Sequence, residues 1–100
     1  MEKLKNFING EYVSYSNKTL DIISPYTEQK IAEITDSNID DINTAVNSAR
    51  KAFESWKNTT PKERSDLFLK LAQLIEENKD ELIKTESKNQ GKPISLASLD

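Results

Sequence analysis

A chain of 100 residues is at most one domain, and a free-standing domain of that size buries only about two-thirds of the surface its unfolded chain exposes. Hydrophobic residues make up 35% against 31% charged, which is lean for a self-sufficient core and suits a piece that packs on something larger. The net charge of −3 and pI near 5.0 come with no basic patch or Lys/Arg-rich helix face, so partners of the nucleic-acid and anionic-membrane classes are excluded.

Cysteine and histidine are both absent, which removes disulfides, thiolate metal sites, a cysteine nucleophile and the usual general base. Met1 to Asn6 has no apolar run behind its charges, and no stretch approaches membrane-spanning length. The expectation is a cytoplasmic protein with no membrane partner.

In chain order, Phe7-Ile8 and Tyr12-Val13 flank Asn9-Gly10. That pair is a hairpin signal, because a type I′ turn needs positive φ at both central positions. Thr19 to Ile23 and Lys30 to Ile34 read as two more strands. Between them lies Ser24-Pro25-Tyr26-Thr27-Glu28, where proline presets φ for a turn. Near residue 37 the period changes from two to about 3.6. Ile39, Ile42, Ala45, Val46, Ala49, Ala52, Phe53 and Trp56 recur at three- and four-residue steps, predicting an amphipathic helix with Ser37 as N-cap. Asp40 and Asp41 at its start and Arg50 and Lys51 further on complement its dipole.

A second helix is predicted to open at Thr60-Pro61-Lys62-Glu63, a capping-box pattern with proline at the first position. Its apolar face runs through Leu67, Phe68, Leu71, Leu74 and Ile75 to Leu82 and Ile83. Asn78 with Glu81 suggests a break and a new start, so two helices or one bent helix both fit. Gly91 in the left-handed conformation and Pro93 after it stop the run near Gln90. Residues 94–100 are too short to assign, leaving 91–100 as a loop. The whole reads as an α+β piece: a β-rich start over 1–36, helices over 37–90, and the loop.

No catalytic constellation emerges. Glu11, Glu28 and Glu33 lack a paired carboxylate and read as solvated surface. Glu76, Glu77, Asp80, Glu81 and Glu86 could suggest a divalent metal site, but the interleaved Lys79, Lys84 and Lys88 make an ordinary charged helix face. Gly91-Lys92 is no P-loop, since helix precedes it and proline follows. The serines lack a histidine or a Gly-x-Ser-x-Gly elbow. Phe53 and Trp56, in register with the apolar stripe, read as core, and Tyr12, Tyr15 and Tyr26 as packing.

Phe7-Ile8-Asn9-Gly10-Glu11-Tyr12-Val13, the Ser24-to-Glu28 turn, the periodic run to Trp56, Glu63-Arg64 and Gly91-Lys92-Pro93, in this order and spacing, resemble the opening of an aldehyde dehydrogenase. The resemblance covers nearly all of the chain, and its nearest look is to betaine- and aminobutyraldehyde-type members. It implies an α/β parent with a Rossmann-type cofactor domain, of which this chain is an incomplete N-terminal part made of scaffold rather than active site. In that family Asn-Pro-x-Thr-Gly-Glu is the common turn. Here Ser24 stands at the Asn place, and Glu28 and Gln29 fall where glycine and glutamate would sit.

The implied activity is NAD- or NADP-dependent oxidation of an aldehyde to an acid by a cysteine and a glutamate, both outside these residues. The implied partners are the remainder of the polypeptide and further copies in a homodimer or homotetramer. Some members bind a monovalent cation, K+ or Na+, through backbone carbonyls before the Asn-Pro turn and an acidic side chain before Gly-Lys. The matching positions are Ile22, Ile23 and Asn89, with Asn89 in place of aspartate removing a negative charge from the site. Asn89 serving only the end of its helix is the competing reading. At the level of the chain the alternatives are a non-catalytic relic or binding module acting through a partner, and an unrelated small α+β scaffold.

Overall fold

The computed structural model describes residues 2–99. Two compact units divide the chain, one of Met1–Ile22 with Lys30–Asn58 and the other of Ile23–Gln29 with Thr59–Asp100.

In the first unit, β1 (Glu2–Leu4) lies parallel to β5 (Lys30–Thr35), with Glu2 opposite Ala32 and Leu4 opposite Ile34. β5 has β4 (Thr19–Ile23) as its other neighbour. The amide of Asp36 donates to the Lys18 carbonyl at 2.9 Å, and the amide of Ser24 to the Gln29 carbonyl at 2.9 Å. This pairs the start of each strand with the end of the other, so β4 and β5 run antiparallel. Both strands lie where the alternation puts them. β1 is an addition: three residues, two of them charged, carry no legible period, and the strand exists because the β5 edge offers unpaired backbone groups.

β2 (Asn6–Ile8) and β3 (Glu11–Val13) form the antiparallel hairpin, with Ile8 opposite Glu11 and Phe7 opposite Tyr12. Asn9 at φ 54° and Gly10 at φ 79° make the two-residue turn, the left-handed pair that matches the strand twist. The Phe7 and Tyr12 rings sit 5.0 Å apart across the strands.

Helix α1 spans Ile39–Trp56 and is capped by Asn38, not Ser37. Asn38 Oδ1 accepts from the Asp41 amide at 3.0 Å, while the Asp41 carboxylate accepts from the Asn38 amide at 3.0 Å, a reciprocal box. Ser37 has another role: its hydroxyl and the Asn6 side-chain amide bond each other at 3.0 and 3.2 Å. Asp40 and Asp41 occupy the first turn as expected, but the last turn holds no basic residue. Arg50 and Lys51 fall too early to complement the C-terminal dipole.

The second unit contains α2 (Pro61–Glu77), α3 (Lys79–Gln90) and the single turn α4 (Ile94–Ala97). Thr60 caps α2, its hydroxyl accepting from the Glu63 amide at 3.1 Å, with Pro61 at the first position. The break at Asn78 gives two helices rather than one bent helix. Asn78 stands at the N-cap position of α3 without a side-chain cap bond, because its side chain reaches back to donate to the Leu74 carbonyl at 2.8 Å. Gly91 at φ 74° ends α3, its amide donating to the Ser87 carbonyl at 2.8 Å. The 91–100 segment is not all loop, because Pro93 starts a new turn at its fixed φ: Ala97 donates to the Pro93 carbonyl at 2.9 Å.

Among the described residues the buried apolar side chains are Ala32 and Ala97. The stripes predicted as core stay open. Val46, Phe53, Leu67, Phe68, Leu71 and Ile75 are half or more exposed, and Trp56 is 43% exposed. The three tyrosines do not pack inward either, Tyr26 least of all at 90% exposed. Periodicity identified the apolar faces, and their side chains remain largely exposed.

Candidate functional site

The three positions implied for a cation lie at two helix or strand ends. Ile22 and Ile23 finish β4, and Asn89 stands in the last turn of α3. Ile22 belongs to the first unit, Ile23 and Asn89 to the second. Asn89 is exposed. The end of its helix is satisfied by other groups: Gly91 bonds back to Ser87, and Ser87 Oγ donates to the Lys92 carbonyl at 2.6 Å.

The turn that follows Ile23 is tightly built. Ser24 is buried, and its hydroxyl accepts from the amides of Tyr26 at 3.3 Å and Thr27 at 3.2 Å. The Glu28 amide closes on the Ser24 carbonyl at 2.8 Å. Serine therefore supplies the side-chain acceptor that an asparagine would offer at the same place. Glu28 takes a left-handed φ of 61°, the conformation that glycine adopts without cost. In the same unit, a Cβ placed on Gly91 would lie 3.2 Å from both Cβ and Cγ of Pro25. Gly91 is thus required twice, by its φ and by the proline.

One functional-looking residue escaped the sequence reading. Asp41 is 2% exposed, and besides closing the helix cap it accepts from the amides of Tyr15 at 2.7 Å and Ser16 at 3.2 Å. The Tyr15 amide leads, with the Asn38 and Ser16 amides and the Asn6 side chain, in holding its carboxyl below the usual aspartate range against the opposing effect of burial. Asn38-x-x-Asp41 was the available signal, an N-cap and N3 pair hidden behind Ser37. The role is architectural: Asp41 ties the strand-exit loop to α1.

The remaining candidates behave as surface. Lys30 pairs with Asp21 at 3.1 Å and with Glu33, which together raise its pKa, Glu33 first. Lys57 with Glu54, Lys62 with Asp66 and Lys79 with Glu76 are exposed pairs one helical turn apart, each worth a few tenths of a kcal/mol at most. Lys57 Nζ lies 5.8 Å from the Phe53 ring centre. Ser14 Oγ is engaged with Thr35 Oγ1 at 2.7 Å. No group of three or more metal-type side chains exists among the described residues. Neither glycine opens a helix, since Gly10 is in a hairpin and Gly91 ends α3.

The sequence profile described as "Aldehyde dehydrogenase family" matches residues 12–100. The chain belongs to the aldehyde dehydrogenase family. It is 39% identical over 94 residues to a 2-aminomuconic semialdehyde dehydrogenase of Danio rerio, covering 94% of this chain and 19% of that protein. The crystal structure of an aldehyde dehydrogenase from Bartonella henselae superposes with a TM-score of 0.93 at 35% identity, over 97% of this chain and 21% of the other. A putative methylmalonate-semialdehyde dehydrogenase from Sinorhizobium meliloti, solved with NAD, superposes with a TM-score of 0.92 at 32% identity, over 96% and 20%. The chain therefore spans about one-fifth of the length of the relatives it matches, and its α+β fold is a piece of the aldehyde dehydrogenase fold.

Proposed function

We propose that these residues are the N-terminal scaffold of the cofactor-binding domain of an NAD(P)-dependent aldehyde dehydrogenase, which oxidises an aldehyde to a carboxylic acid with a cysteine and a glutamate supplied from outside residues 1–100. The observation that carries this reading is a near-complete match to one-fifth of such enzymes by a chain whose own helices leave Phe53, Leu67, Phe68 and Leu71 half exposed. Apolar faces of that extent are covered by protein in a stable molecule. The rest of the enzyme is the partner that covers them, and a homodimeric or homotetrameric, cytoplasmic enzyme is the form in which the segment works. The chain's share of the chemistry is positioning: Asp41 locks α1 to the strands, and the Ser24–Gln29 turn fixes the exit of β4.

The intact mass of the natural gene product tests the reading. A mass several times 11.4 kDa, with aldehyde-dependent NAD(P) reduction in the purified product, is expected. A product of 11.4 kDa that folds alone and binds an unrelated partner would overturn it in favour of a non-catalytic module.

The carbonyls of Ile22 and Ile23 with the Asn89 amide oxygen form a weakened K+ or Na+ site in that enzyme, of the sort borne by betaine- or aminobutyraldehyde-type members. Asn89→Asp restores the missing charge and is expected to lower the K+ concentration that half-maximally raises the melting temperature. An unchanged K+ dependence, together with no anomalous signal from a heavier monovalent ion at these residues, removes the site.

A further inference from the structure

The hairpin tip carries a reactive pair that the scaffold role does not use. Asn9 and Gly10 are both exposed. Among the described residues the Asn9 side-chain amide makes no hydrogen bond, and the Gly10 amide donates to no side chain. Apart from its chain neighbours, nothing lies within 4 Å of where a Gly10 Cβ would be, and Asn9 lines an open hollow with Asn47, Ser48, Lys51 and Ala52 of α1. The Phe7–Tyr12 ring pair joins the strands behind the turn, and with those rings 64% and 72% exposed it leaves the tip itself open to water.

We propose that Asn9–Gly10 is a self-modification site, where the chain converts asparagine to aspartate and isoaspartate in water. The Gly10 backbone nitrogen, having lost its proton to hydroxide, attacks Asn9 Cγ. A C–N bond forms, the Cγ–Nδ2 bond breaks, and Nδ2 leaves as ammonia with a proton from water. The five-membered succinimide then takes up one water at either carbonyl. No electrons are transferred, and the net change is replacement of an amide nitrogen by oxygen.

The two products differ structurally. Aspartate–glycine still suits a type I′ turn, so the Ile8–Glu11 and Phe7–Tyr12 pairings survive with one added negative charge. Isoaspartate routes the backbone through an extra methylene, which the two-residue turn has no room for, and a register error there moves the side chains of a strand to the wrong face. The site is a slow clock that unpins β2 from β3.

Incubation of the natural gene product at mildly alkaline pH, with peptide mass mapping and enzymatic methylation of isoaspartate, tests this. Asn47, which precedes Ser48 inside α1, is the internal control. Conversion at Asn9 is expected to run at least about tenfold faster than at Asn47, because residue 10 carries no side chain beside the attacking nitrogen whereas the Ser48 nitrogen is fixed inside α1, and to accelerate as pH rises. Gly10→Ala is expected to slow it, and Asn9→Asp, which already carries the aspartate product, to abolish new isoaspartate from the asparagine route while keeping the hairpin. Conversion at Asn9 that is no faster than at Asn47 in the folded protein, or that becomes faster only after unfolding in urea, overturns the proposal.

Discussion

Glu28 gives the sharpest energetic prediction. It is exposed and sits at φ 61°, in the region where a Cβ crowds the following carbonyl and costs about 1–2 kcal/mol. Glycine removes that cost but enlarges the unfolded ensemble, which opposes it by about 0.4–1 kcal/mol. The turn's own bonds are kept by Glu28→Gly, since the 2.8 Å bond to Ser24 comes from the backbone amide of residue 28. The balance is a stabilisation of about 0.5–1 kcal/mol. Denaturant unfolding of the natural gene product, with the slope held constant, measures it as a shift of midpoint. Glu28→Ala is the necessary companion. It removes the same charge and keeps the strained φ, so it is expected to leave stability nearly unchanged. A gain in the alanine variant equal to that in the glycine variant would refute the conformational account and assign the effect to charge.

Gly91→Ala is expected to destabilise the protein by more than Gly10→Ala, although both residues have positive φ, because only at Gly91 does the new methyl meet Pro25 at 3.2 Å. The φ alone accounts for about 1–2 kcal/mol at each, and equal losses in thermal unfolding would show that the proline gives way. Asp41→Asn is expected to lower stability most near neutral pH and to flatten the acid limb of the stability curve. The folded pKa of Asp41 lies below its ordinary 3.8, so its contribution is complete above the unfolded value and is lost as pH falls from there through the depressed one. A stability–pH curve that is parallel to that of the unsubstituted protein below pH of about 4 would remove Asp41 from this role. Residues 1–100 produced alone are expected to bind a hydrophobic dye strongly and to melt without a sharp transition; a cooperative melt with no dye binding would mean the exposed helix faces find cover within the chain.

Where backbone chemistry is confined to one or two side chains, the sequence was a sufficient guide. Asn9-Gly10, Thr60-Pro61 and Gly91 sit in the turn, cap and helix stop assigned to them, because each satisfies a local requirement that few residues meet. Ser37 and Asn38 show the limit. Both can cap, and the choice falls to Asn38 because Asn6, 31 residues away, engages Ser37, a tertiary partner that no local pattern contains. β1 eluded notice for the same reason, its strand character coming from the β5 edge rather than from Glu2-Lys3-Leu4 itself. The cation positions rest on resemblance alone, since a backbone carbonyl leaves no mark on residue type.

The contrast between secured backbone and unsecured side chains is what the proposed scaffold role requires. Caps, turns and the Asp41 bonds are local or nearly so, and they define α1 and its loop without help from a core. The apolar faces do the opposite, with only Ala32 and Ala97 buried among the described apolar residues. Two small side chains supply on the order of a kcal/mol or two, far less than the conformational entropy of ordering 100 residues. Specificity of shape therefore resides in these residues, while on the proposed reading most of the free energy that holds them would come from the polypeptide that covers Phe53, Leu67, Phe68 and Leu71.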